Sequence, residues 1–120
     1  MKFMEISDLP EPLRARIAAE AAQPPLETVR EFLFSTVADA DSLDEVRSDL
    51  RRLARVTTRR HRLDLAAFER VLATSWPPGT LMELVVSDGN WPLDDPSDAE
   101  AAAFLRKLAD MLREVIAAAE

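Results

Sequence analysis

Three Ser/Thr-x-x-Glu tetrapeptides, Ser42 to Glu45, Thr80 to Glu83 and Ser97 to Glu100, each stand at the head of an apolar pattern with helical spacing. In such a capping box the hydroxyl accepts from a backbone N–H of the first turn, and the acid three residues on reaches back to the cap's own N–H. Two orphan donors are satisfied together, so each box marks a helix start. A chain punctuated in this way is committed to helix over most of its length.

The intervening segments fit the same reading. Leu13, Ile17 and Ala21, with Ile6 and Leu9 leading in, predict a first helix from Pro10 to Ala22 that Pro24-Pro25 ends. Pro25 then opens a second helix, where its missing N–H costs nothing, and Leu26, Val29, Phe32, Leu33 and Val37 form its buried stripe up to Asp39-Ala40-Asp41. From Ser42 a third helix places Leu43, Val46, Leu50 and Leu53 in one seam and reaches at least Val56. Asp64 reads as the N-cap of a fourth, with Leu65, Phe68 and Leu72 facing inward and Trp76-Pro77-Pro78-Gly79 as its stop. The run Leu81 to Val86 has the valine content of a strand, but the Thr80 box and Gly89 as a residue just past the C-terminus favour a short fifth helix. After a polar loop from Asp88 to Pro96, the last helix carries the longest apolar stripe, Phe104, Leu105, Leu108, Met111, Leu112, Val115 and Ile116. At roughly 20 residues it spans about 30 Å. The expected fold is therefore all-α, an irregular bundle of five or six helices in a single domain over residues 1–120, with the long C-terminal helix at its centre.

Residue chemistry narrows function mainly by exclusion. The chain has no Cys, which removes disulfides, thiol catalysis and cysteine-ligated metals, and its one histidine, His61, has no acid–base partner near it in sequence and reads as charged or solvent-facing. Gly79 and Gly89 stand alone, so no phosphate-cradling loop can be written. Asp88-Gly89-Asn90 with Asp94 and Asp95 has oxygen ligands to offer a Ca²⁺ ion, but not at the spacing of an EF-hand loop. No catalytic residue, metal site or cofactor is expected. No stretch approaches the roughly 20 apolar residues of a membrane span. Met1 to Asp8 turns acidic before an apolar run of signal-peptide length develops, so the expected location is cytoplasmic.

Charge is unevenly placed along a chain whose formal net charge is −7. Between Arg47 and Arg62 lie seven arginines and one acid, Asp49; between Glu83 and Glu100 lie six acids and no base. A third helix continued past Val56 aligns Arg47, Arg51, Arg55 and Arg59 into a basic ridge, of which Arg51, Arg55 and Arg59 are candidate phosphate contacts for a nucleic-acid-binding or regulatory module. The overall charge opposes that reading, no aromatic residue interleaves the arginines, and pairing with the acids of the segment from Glu27 to Glu45 accounts for the ridge without a ligand. The acidic segment offers an anionic patch to a basic partner, although Ser97, Asp98 and Glu100 also suit the N-terminus of the last helix on their own account. Trp76 reads as a plug at the end of the bundle; Trp91 is either a plug or an exposed interface anchor.

The segments Trp76-Pro77-Pro78-Gly79-Thr80-Leu81, Val85 to Asn90, Leu93-Asp94-Asp95-Pro96-Ser97-Asp98 and Ala101 to Leu108 together resemble small bacterial contact-dependent growth inhibition immunity proteins. The resemblance covers about half of the chain, mainly residues 76–110, and none of its pieces is catalytic. It implies a cytoplasmic protein that binds a cognate toxin domain and blocks its active site or its access to substrate. Many such toxins are nucleases with basic clefts. An acidic partner suits such a toxin, so the acidic segment, Glu83, Asp88, Asp94, Asp95 and Asp98, with Trp91 as an apolar anchor, is the expected partner-binding surface.

Overall fold

The computed structural model describes residues 10–12 and 23–120, and most of the first helix expected from sequence, Pro10 to Ala22, lies outside the described residues. Five α-helices follow one another among them, with no strand: α1 (Pro25–Phe32), α2 (Leu43–Ala54), α3 (Arg59–Ala73), α4 (Thr80–Glu83) and α5 (Asp98–Ala119). Both α1 and α4 run on into one π-helical turn, Leu33–Val37 and Leu84–Asp88, each closed by a bond from an N–H to the carbonyl five residues back, Ala38 to Leu33 at 2.9 Å and Gly89 to Leu84 at 3.1 Å.

Long α5 is the strut of the bundle, in contact with α2, α3 and α4, while α1 packs chiefly on α3. All seven residues of the C-terminal stripe are buried. Val29, Phe32, Leu33 and Val37 enter the same core from α1 and its π turn, and the Phe32 ring meets Phe68 edge-on with centroids 5.2 Å apart. Pro25 begins α1 with Pro24 as its cap. Ser42 and Ser97 cap α2 and α5, each accepting from the N–H three residues on at 3.2 Å, although Glu45 returns its carboxylate to the Asp41 N–H rather than to Ser42.

Several local expectations are corrected. Helix α2 stops at Ala54, short of the expected Val56, because the β-branched run Val56-Thr57-Thr58 disfavours continuation; the last turn tightens as the Val56 N–H donates to the Leu53 carbonyl three residues back, which the Thr57 N–H shares. Leu53 is consequently 54 % exposed instead of closing the seam. Helix α3 starts at Arg59, five residues before the expected cap, which puts Asp64 inside the helix and His61 in the core rather than in solvent.

Thr80 is the first residue of α4 and not its cap. That position belongs to Gly79, at φ +87°, where a side chain is strained. Gly89 has an ordinary φ of −83°; the left-handed residue is its neighbour Asn90, at φ 47°. Gly89 is needed for space instead, since a Cβ there comes within 2.7 Å of the Val85 carbonyl oxygen.

Candidate functional site

Three of the six acidic-segment candidates serve the fold. Asp98, at the start of α5, accepts hydrogen bonds from the backbone N–H groups of Gly79 at 2.7 Å and Met82 at 3.0 Å, so its carboxylate performs the capping that Thr80 does not. These two donors hold the Asp98 carboxyl below its ordinary value of 3.8. A depressed carboxylate adds stability above the unfolded value that is lost as pH falls through the folded one. Asp98→Asn is therefore expected to weaken the fold at neutral pH and to flatten the acid limb of its stability profile. Denaturant melts at pH 2 to 7 check this, and an unchanged acid limb refutes it.

Asp88 is half-buried and pairs with Arg30 at 3.3 Å, joining the π turn after α4 to α1. Trp91 is half-buried: it stacks on Phe104 with centroids 5.2 Å apart and packs against the core, so it contributes to the fold at that end of the bundle. Trp76 is a second plug, its indole N–H donating to the Val71 carbonyl at 2.8 Å.

Glu83, Asp94 and Asp95 remain exposed, Asp95 accepting from the Ser97 hydroxyl at 3.2 Å. Glu83 lies in the wall of an open groove of about 510 Å³ with Pro78, Met82, Val86 and Pro96, and Asp94-Asp95 immediately precede Pro96. Thr80 and Ser87 add hydroxyls to this mixed lining, Glu83 is its only described charged residue, and Val86 is 39 % exposed in it.

The arginines do not form one ridge. Arg51 and Arg55 are exposed on α2 and at its C-terminal cap, but Arg59 opens the next helix. Their neighbours are ion-paired: Arg47 with Asp44 and Glu114, both at 3.8 Å, Arg52 with Asp49 at 3.1 Å, and Arg62 with Glu120. Arg60 joins Glu31 of α1 at 3.6 Å to Asp64 at 3.2 Å.

That last pair belongs to a site which the sequence reading missed. A pocket of about 400 Å³ opens where the end of α1 meets the end of α2 and the start of α3. Phe32 and Leu50 line it, with the exposed Leu53 and Val56 and with buried His61 and Asp64. Burial drives the Asp64 carboxyl up to about 6, against the opposing charges of Arg60 and His61.

The described residues gather no group of three or more His, Asp or Glu able to hold a metal ion, and none of their helices is long and apolar enough to cross a membrane. No family model, curated protein or solved structure matches this chain.

Proposed function

We propose that the chain is an immunity protein, acting in the cytoplasm, that binds a cognate bacterial toxin domain and neutralises it by stoichiometric occlusion, with no chemistry of its own. The observation that carries this reading is the groove beside α4, which holds exposed Val86, half-buried Met82 and exposed Glu83, and whose lining residue Pro96 directly follows the exposed pair Asp94 and Asp95. An apolar centre with a rim of one charge sign suits a protein partner of the opposite sign. The resemblance of residues 76–110 to immunity proteins falls on the same segment. In this reading Glu83, Asp94 and Asp95 meet the basic toxin surface, while Asp88, Trp91 and Asp98 hold the backbone that presents them.

Co-expression with the polypeptide encoded immediately upstream tests the proposal, with one-to-one capture and rescue of growth as the expected results. Reversing charge at Asp94 and Asp95 together is expected to slow association by about tenfold at low salt, an effect that shrinks as salt screens it. Unchanged affinity and salt dependence removes this surface from the interface. Retention of the free chain on DNA or RNA, steeply weakened by salt and abolished by Arg51→Ala with Arg55→Ala, assigns the nucleic-acid role instead.

A further inference from the structure

The groove beside α4 and the mouth of the pocket between α1, α2 and α3 stand at the two ends of α5 and carry opposite charge. Asp98, in the first turn of α5, holds the N–H groups of Gly79 and Met82, so the groove lies at the N-terminal end of the strut. Arg62 pairs with Glu120, so the start of α3, and with it the mouth formed by Leu53, Val56 and Thr57, lies at the C-terminal end. The 22 residues between span about 33 Å. From Leu50 to Arg62 the chain carries six arginines and no acid; from Pro78 to Glu100 it carries six acids and no base. Arg52, Arg60 and Arg62 are ion-paired, whereas Arg55, next to Val56, is exposed and forms no ion pair with a described residue. At the other end Glu83, Asp94 and Asp95 are exposed.

Each end also presents apolar surface to solvent. Val56 is 85 % exposed and Leu53 54 %, both at the pocket mouth, and Val86 is 39 % exposed in the groove, whose volume is about 510 Å³. One end is a projection with basic neighbours and the other a recess with acidic neighbours. A net charge of −7 sets copies of this chain apart at long range, so copies meet only where opposite local signs approach within a Debye length of about 10 Å. Two mouths face to face, or two grooves, bring like charges together. A mouth set against a groove pairs opposite charges and covers the exposed leucine and valines in one step. The chain thus holds both halves of a complementary contact.

We propose that a second copy of this chain docks head to tail on the first, with Leu53 and Val56 of one copy seated in the groove beside α4 of the other and Arg55 facing Glu83, Asp94 and Asp95. The contact joins two different patches, so each pair keeps one mouth and one groove open and further copies can add. A seated copy and a toxin exclude each other from the groove, but the association itself does not rest on the toxin-binding reading.

The experiment is sedimentation of the full chain alone, from about 10 μM to about 1 mM. At about 50 mM salt the average mass is expected to rise with concentration above that of one chain, and at about 0.5 M salt to fall back towards it. Two variants at exposed positions each disable one end: Val56→Glu the mouth, and Asp94→Lys with Asp95→Lys the acidic side of the groove. Each alone is expected to weaken association by about tenfold or more. An equal mixture of the two is expected to recover association and to stop at two chains, because the first variant keeps its groove and the second its mouth. A single chain at every concentration, association that ignores salt or survives either variant, or a mixture that fails to recover overturns the proposal.

Discussion

Phe68→Ala is expected to lower the unfolding free energy by about 3–5 kcal/mol. The ring is fully buried and sits where α3 receives α1, edge-on to Phe32. Truncation removes its own burial and opens a cavity that the surrounding helices, already braced on α5, can close only in part. Since a domain of this size has about 5–15 kcal/mol in all, the variant stands near the threshold of folding. The loss is read from the urea midpoint with an unchanged slope, and α1 amides should lose exchange protection before those of α5, because α1 leans on α3 rather than on the strut. Leu53→Ala is the matched control and should cost less than about 1 kcal/mol at a position 54 % exposed. A comparable loss in the two variants refutes the assignment of Phe68 to the core.

What the sequence discloses of this fold depends on whether the deciding contact is local. The stripes of α1 and α5 are legible because apolar residues recur with the helical period over two turns or more, and burial follows that period. The start of α3 is not, although its signal is present: His61 and Asp64 continue the spacing of Phe68 and Val71 towards the N-terminus, and only their polar character conceals that they face inward. An inward stripe with two polar members is also the best local pointer to the pocket. The cap of α4 was beyond any local rule, since the carboxylate that provides it, Asp98, lies 16 and 19 residues from the N–H groups it accepts from. Asp98 and Asp88 could thus be chosen from sequence as surface acids, whereas their part in holding α4 and its π turn in place needed the tertiary structure.

Asp64→Asn is expected to leave stability unchanged near pH 3 and to raise it by about 3 kcal/mol at pH 7. Below 3.8 the carboxyl is protonated in both the folded and the unfolded chain. Between 3.8 and about 6 the unfolded chain gives up this proton while the folded chain keeps it, so stability falls as pH rises through that window and the cost is constant above it. An amide of the same shape stays neutral throughout and escapes the penalty. Removal of one partner of a buried ion pair is usually destabilising because the other charge is stranded. Here Arg60 is 37 % exposed and keeps Glu31, so it is not stranded. Urea melts of both proteins from pH 3 to 8 decide the matter: a difference that grows through pH 4 to 6 supports the burial argument, and an equal loss in the variant at every pH shows that the Arg60 pair outweighs it.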